Sequence, residues 1–423
     1  MSNTVSSALP IPRRFYYGWT VVGVAALAMV GTLPGRTQGL GLITEPLLAD
    51  LGLSRVAYAQ VNLVATLVGA LFGLGVGSLI DRRGARIVAT VLAAALGAVV
   101  FAMSQVTSAP MLLIVITLTR GLGQTALSIV SLAMVGKWFR RRLTWAMGIY
   151  ALVMSIGFMI AFPIVGAIVL ARGWRMAWAA IGVALLGVVA PIAWLFGRST
   201  PESVGEEMDG GHALPEDRGD RAATSGAPWR SPTLSDALRT PAFWVFAIAS
   251  SLYGLVASGI GLFNEAILAE RGFEPGVYHA ALAVTAITGL SGNVVAGAWA
   301  ERGSLRAVLV VAMAFLGGAL AALPHVATMS HVLTQAVAMG VAGGFVMVVF
   351  FSFWGRTFGD AHLGRIQGAA QVMTVLASAV GPLLLAWCVS ATGSYSIAFY
   401  VLAATVVALG AAALVVRIPH PAN

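Results

Sequence analysis

Two arginines stand inside long apolar stretches, where a charge is hardest to accommodate. Arg36 follows Pro34 and Gly35 in the first such stretch, and Arg120 lies within the fourth. A guanidinium is always charged and presents a planar fork of donors that matches a carboxylate. At a helix centre in hydrocarbon it costs about 2.5–3.5 kcal/mol on insertion scales, so neither group is expected to face lipid. At a rise of about 1.5 Å per residue, Arg36 falls about 26 Å beyond Trp19, in the outer half of a bilayer, and Arg120 about 15 Å inside its stretch, close to the centre. The chemistry on offer is capture of an anion. The alternatives are snorkelling of Arg36 to outer headgroups and pairing of Arg120 with helix carbonyls.

Polar side chains accompany these arginines at helical spacing. Thr117, Arg120, Gln124, Ser128 and Ser131 recur at steps of three and four, which puts them on one helix face, and Gln367, Gln371, Thr374 and Ser378 do the same farther on. Asn62 and Thr66, Ser250 and Tyr253, and Thr285, Thr288 and Asn293 mark three further stretches. The expected binding set is Arg36, Arg120, Gln124, Tyr253, Gln371 and Thr374. Interhelical hydrogen bonding is the competing account of the stripes. Glu45 and Glu265 are candidates for coupling or gating, or are solvated helix ends. His279, His325 and His331 gather near the same boundary and read as surface histidines. No apolar stretch holds an Asp or Glu at mid-depth, so a buried carboxylate relay has no evident carrier. Cys388 reads as a packing residue.

The elements that position these groups follow from composition. Of 423 residues, 59% are hydrophobic and 10% charged, against roughly 25% charged in a soluble domain. Apolar runs long enough to cross about 30 Å of hydrocarbon recur throughout. They cover 17–42, 56–80, 87–104, 110–136, 145–170 and 174–196, then 242–267, 277–300, 307–325, 329–354, 365–389 and 395–416. The net charge of +9 is no sign of nucleic-acid binding, because the basic residues sit in short loops. Arg13, Arg14, Arg82, Arg83, Arg86, Lys137, Arg140, Arg141, Arg142, Arg302, Arg306, Arg356 and Arg417 share one side. By the positive-inside rule that side is cytoplasmic and holds both termini. The first sixteen residues carry no cleavable signal. A multi-pass inner-membrane protein follows, with the lipid bilayer and a small molecule as partners, no nucleic acid, and a monomeric state expected.

The chain repeats itself at a constant offset of 220 residues. Gly39–Glu45 aligns with Gly259–Glu265, Gly52 with Gly272, Tyr58 with Tyr278, and Gly77–Arg82 with Gly297–Arg302; Gly173 meets Gly393. Such a repeat implies two parallel six-helix bundles about an axis along the membrane normal, with a site near the midplane between them. The fold expected is an all-α membrane protein of twelve transmembrane helices. Its parts are an N-terminal tail (1–16), a first bundle (17–196), a cytoplasmic linker (197–240) rich in Pro, Gly and charge and without sustained periodicity, a second bundle (241–417) and a C-terminal tail (418–423). The Gly69, Gly73, Gly77 series lacks the ending of a phosphate loop and reads as mid-helix packing.

Gly77-Ser-Leu-Ile-Asp81-Arg82-Arg83-Gly84-Ala-Arg86, echoed from Gly297 to Arg306, resembles the loop signature of the major facilitator superfamily. The resemblance implies a conformational latch made by Asp81, Arg82 and Arg86 with Glu301 and Arg302 as the echo. Arg120-Gly-Leu-Gly-Gln124 resembles the fourth-helix arginine motif of many proton-coupled members. Tyr17-Gly-Trp19, Pro46–Arg55, Lys137–Arg142, Thr200–Gly205, Thr240–Trp244 and Thr392–Tyr395 look like the bacterial monocarboxylate and oxalate:formate porter branch. Members of that branch move small organic acids, with a proton or by exchange, and Arg36 is similar to their first-helix basic residue. This chain departs from them in having no basic residue within span eight and only Arg365 at the start of span eleven.

These readings lead to the expectation of a secondary transporter for a small, monocarboxylate-like organic anion, working by alternating access. Rival readings are an exporter of hydrophobic or cationic compounds and a non-transporting membrane sensor. An enzyme is not expected, since the chain has no His-Glu-x-x-His, Gly-x-Ser-x-Gly or phosphate-loop motif, and no cofactor or metal is called for.

Overall fold

The computed structural model describes residues 16–140, 142–210, 232–359 and 362–419. Arg13, Arg14 and Arg141, most of the N-terminal tail, the middle of the linker and the last residues of the chain lie outside this set. Among the described residues, twelve helices are long and apolar enough to cross a membrane. They are α1 Gly18–Gly35, α2 Arg55–Arg83, α3 Ala85–Met103, α4 Ala109–Gly136, α5 Trp145–Arg172, α6 Trp174–Phe196, α7 Pro241–Ala269, α8 Gly276–Arg302, α9 Leu305–His325, α10 Met329–Phe358, α11 Arg365–Thr392 and α12 Ser396–Val415. The first six pack as one bundle and the last six as a second, pseudo-symmetric with it.

The repeat is visible in the backbone. Gly52 and Gly272 both take positive φ, at 62° and 82°, and so do Gly173 and Gly393, at 82° and 76°. These are equivalent positions at helix ends, where a left-handed residue closes the last turn and only glycine does so without a Cβ penalty. Tyr58 and Tyr278 are likewise both buried.

Of the spans that depart from a continuous α-helix, three position the arginines. The regular helix of α1 ends at Val30, tightens to a 3-10 turn at Leu33–Gly35, and opens at Arg36 (φ −86°, ψ 149°) before short helices at Thr37–Gly41 and Thr44–Leu51. Pro34 has no N–H to donate, and its ring opposes the helical hydrogen bond of the preceding turn. Gly35 is required, because a Cβ there would lie 2.5 Å from the Thr119 carbonyl oxygen. Beyond the break the chain continues through these short helices to Leu51. Gly35 also lies against the Gln124 N–H, so the turn that carries Arg36 sits beside this part of α4.

In α2 the chain breaks at Leu71–Gly73, with Leu74 extended and Gly75 at φ 85°. Gly69 still packs closely, its missing Cβ 3.1 Å from the Cβ of Arg120, but Gly77 faces open space. The glycine series is thus interrupted by a bend rather than forming one mid-helix stripe. In α4, Arg120–Leu127 is π-helical. Gly121 lets the ring of Phe72 approach to where a Cβ would be, 2.5 Å from the nearest ring carbon. A π-turn inserts one extra residue per turn and rotates everything beyond it. The polar stripe of α4 is therefore split: Arg120 and Gln124 meet each other, while Ser131 donates to the carbonyl of Ala25 at 2.7 Å and lies 2.8 Å from the Tyr150 hydroxyl.

Between the bundles, α5 packs on α8, α2 on α11, and the Thr37–Gly41 turn on α7. The close approaches lie toward the face opposite the chain termini. There the backbone of Gly41 touches the Gly261 carbonyl, and the ring of His279 packs on Gly166. Tyr278 donates to the Gln38 and Gly261 carbonyls, 3.1 Å from each, and so bridges the bundles. Toward the terminal face α5 and α8 part. A gap of about 340 Å³ opens there between Trp145, Ile149 and Leu152 on one side and Leu290 and Val294 on the other.

Candidate functional site

The break in α1, which carries Arg36, sits beside the π-turn in α4, which carries Arg120. Arg120 is 3% exposed. Its Nη1 donates to Gln124 Oε1 at 2.8 Å and to Thr37 Oγ1 at 3.4 Å, and its Nη2 to Asn62 Oδ1 at 2.7 Å. Its Nε is buried without a partner. Arg36 is half-buried: its Nε donates to Thr32 Oγ1 at 2.8 Å, its Nη2 lies 2.8 Å from the Met29 sulfur, and its guanidinium sits 5.1 Å from the centre of the Phe158 ring.

Neither guanidinium has an ion-pair partner among the described residues. Burying a charge without a counter-charge is costly, because neutral hydroxyls, amides and ring faces recover only part of its hydration. The site thus holds a standing positive potential on the first-bundle side. What such a site can do is hold an anion, which supplies the charge the protein withholds.

Of the residues expected from sequence, the fold joins Arg120 to Gln124 by a hydrogen bond, while the Arg36 side chain has its own partners on α1 and α5. Tyr253 and Thr374 belong to the second bundle, where the Thr374 hydroxyl lies 3.3 Å from that of Ser251 and joins α11 to α7. Tyr253 rests its hydroxyl against Gly343. Gln371 is exposed on α11. No hydrogen bond among the described residues links the second-bundle group to the arginines. Sequence reasoning picked out Asn62 as polar without giving it Arg120 as partner. It missed Thr32, Thr37, Met29 and Phe158; of these only Thr32, one turn before Arg36, carried a local signal.

The loop residues after α2 act within their own bundle in this conformation. Asp81 accepts from Lys137 Nζ at 3.1 Å. Arg86 Nε donates to the Trp194 carbonyl at 2.7 Å, with its guanidinium 4.3 Å from the Trp194 ring centre, and the Arg86 N–H donates to Ser199 Oγ. Arg82, Glu301 and Arg302 are exposed at helix ends, and Arg356 donates to the Ala300 carbonyl at 2.6 Å beside Glu301. Among the described residues, no hydrogen bond or ion pair of these groups crosses between the bundles.

At the opposite face, Arg55 holds Glu45 through two hydrogen bonds of 2.6 and 3.2 Å, whereas Glu265 has no ion pair among the described residues. The pair borders a cavity of about 520 Å³ that reaches Val389 and Ser390 of α11. At the terminal face, the described start of the linker is strapped to the first bundle. Asp209 accepts from the N–H groups of Arg140 and Arg142 at 3.2 Å, Glu206 from that of Tyr17 at 3.1 Å, and the Arg198 carbonyl from Trp138 Nε1 at 3.2 Å.

Comparisons with known proteins bear on this architecture. A solved bacterial homologue of the human lysosomal transporter Spinster, inward-facing and unoccupied, superposes with a TM-score of 0.65 over 94% of this chain and 95% of its own, at 15% identity. The nucleoside transporter NupG gives 0.72 over 94% and 98%, at 14% identity. In sequence, the chain is 25% identical over 353 residues to an uncharacterized 38 kDa protein in the 23S RNA operon of Thermoproteus tenax, spanning 84% of this chain and 80% of that one. The family model of the Major Facilitator Superfamily matches residues 15–330 and 247–423. With that match over the chain, twelve membrane-spanning helices and two pseudo-symmetric bundles, this protein belongs to the Major Facilitator Superfamily of membrane transporters.

Proposed function

We propose that this transporter carries a small organic anion, monocarboxylate-like, by alternating access between two states of its bundles. The carrying observation is that two guanidiniums within the spans, Arg36 and Arg120, are held by neutral partners alone among the described residues. An anion bound at these groups restores the missing charge balance and gains charge-assisted hydrogen bonds of roughly twice the strength of neutral ones. Gln124 from the first bundle, and Tyr253, Gln371 and Thr374 from the second, complete the wall on which the bundles close.

By the excess of arginine and lysine at the terminal face, that face is cytoplasmic, both termini lie inside, and the protein sits in the inner membrane as a monomer. The conformation described is then inward-facing. Transport is coupled to a proton or to an exchanged anion, with Glu265 the carboxylate free to take part. Asp81, Arg82 and Arg86, with Glu301 and Arg302, would latch the bundles in the outward state.

Uptake of monocarboxylates and dicarboxylates into proteoliposomes tests this reading. Arg36→Gln and Arg120→Gln are each expected to abolish accumulation; undiminished anion flux in both variants would reject it. The apolar gap at Trp145, Leu152, Leu290 and Val294 favours a second reading, export of hydrophobic compounds. Flux of such compounds that is indifferent to both arginines would establish that one instead.

A further inference from the structure

The two guanidiniums are not equivalent. Arg120 is 3% exposed, and both its Nη groups are already engaged by Gln124, Thr37 and Asn62. Arg36 is the accessible one, and its partners are weak: a hydroxyl, a thioether sulfur and the face of Phe158. A carboxylate displaces the sulfur with gain, because a bidentate charged pair outweighs a thioether contact. Phe158 is held in place by Phe162, ring centres 5.5 Å apart and planes 18° from parallel, so an apolar wall flanks the cation.

The facing bundle supplies no second cation. The repeat places Val256 opposite Arg36 and Gly340 opposite Arg120. Among the described residues, the arginines of α7 to α12, Arg302, Arg306, Arg356 and Arg365, all stand in the first or last turn of their helices, and none lies deeper. A second carboxylate on the substrate would be desolvated with nothing to meet it.

We infer that the substrate is a monocarboxylate with an aryl or branched apolar body, its carboxylate on Arg36 and its body against Phe158, with Arg120 a positioning residue behind Thr37. This rests on the anion reading above.

The test is uptake of radiolabelled benzoate, isovalerate, acetate and succinate by the full-length protein in proteoliposomes. Benzoate and isovalerate are expected to exceed acetate in kcat/KM by at least about tenfold, the discrimination an apolar pocket yields for a few carbons, with succinate lowest. Phe158→Ala should reduce that preference to within about threefold, read as the ratio of benzoate to acetate kcat/KM within the same variant. Should that variant fail to fold, Phe158→Leu keeps apolar volume and removes the ring, and is expected to spare isovalerate and lower benzoate. Acetate or succinate carried as well as benzoate, and abolished by Arg36→Gln, would overturn the inference while leaving the anion reading in place. Uptake of every anion unchanged by Arg36→Gln would overturn the inference; uptake unchanged by Arg120→Gln as well, or no anion uptake at all, would overturn both.

Discussion

Arg120 and Gly340 occupy equivalent positions in the two bundles, 220 residues apart, and do opposite things. Arg120 pushes a charge into its bundle and gathers Asn62, Gln124 and Thr37 around it. Gly340 removes a side chain, so that α10 lies directly on α8, with the Thr285 carbonyl oxygen 2.5 Å from where a Cβ would be. One bundle carries the charge and the other is a close-packed wall. Gly340→Ala is therefore expected to destabilise by about 1–3 kcal/mol through overpacking. Thermal unfolding in detergent checks this, and an unchanged midpoint would mean that α8 and α10 have slack.

Asn62 is buried at 1% exposure, and its Oδ1 is the nearest acceptor of the Arg120 fork. Asn62→Ala should leave Nη2 without a partner and cost about 1–3 kcal/mol. If its purpose is to hold Arg120, the loss is not additive with Arg120→Gln, and a double-mutant cycle should return a coupling of about 0.5–3 kcal/mol. Additive losses would place Asn62 in general packing.

Much of this arrangement was legible in the sequence, and the reasons for the remainder are physical. The offset of 220 residues exposed the two bundles, and the glycines at 52, 173, 272 and 393 mark the same turns in both. The insertion cost of Arg36 and Arg120 marked them for the interior. Hidden were features set by contacts distant in the chain. Phe72 against Gly121 accompanies the π-turn that splits the α4 stripe, and Phe158 reaches Arg36 from 122 residues away. Periodicity reports which face is buried, and it says nothing of which partner buries it. The linker start lacks helical periodicity because its order comes from Asp209 and Glu206 capping backbone N–H groups elsewhere.

That strap yields its own prediction. Asp209 stands at φ 61°, a left-handed conformation that aspartate and asparagine tolerate better than other non-glycine residues, and its carboxylate accepts from Arg140 and Arg142 just before α5. Asp209→Ala should raise hydrogen–deuterium exchange at 138–146, whereas Asp209→Asn should retain most of the protection. Equal exchange in wild type and Asp209→Ala would show that the loop is held by other contacts.

Glu45 and Glu265 are related by the repeat, but their surroundings are not. Arg55 clasps Glu45, and the position equivalent to Arg55 is Pro275. Under the proposed function, Glu265, without an ion pair among the described residues, is the carboxylate that would gain and lose a proton during the cycle, as acidic groups do in proton relays. In proteoliposomes with an inward proton gradient, Glu265→Gln should abolish gradient-driven accumulation yet preserve exchange of internal for external substrate. Glu45→Gln should retain gradient-driven accumulation. Retention of the gradient response by Glu265→Gln would assign coupling to exchange alone.

The interface itself predicts how the bundles move. Gly41 against Gly261 and Gly166 against His279 close one end, while Trp145 and Val294, 76% and 67% exposed, flank the open one. Closing the gap must bring residues 145 and 294 together as the glycine contacts part, since both bundles rock about the same site. Spin labels at Trp145→Cys and Val294→Cys, with Cys388 replaced by alanine, report that distance by double electron–electron resonance. Adding a transported substrate should populate a shorter distance, and Arg36→Gln should abolish the response, because a ligand shifts a conformational equilibrium only through contacts that differ between the states. A substrate-induced shortening that survives Arg36→Gln would mean that closure is driven from the second bundle.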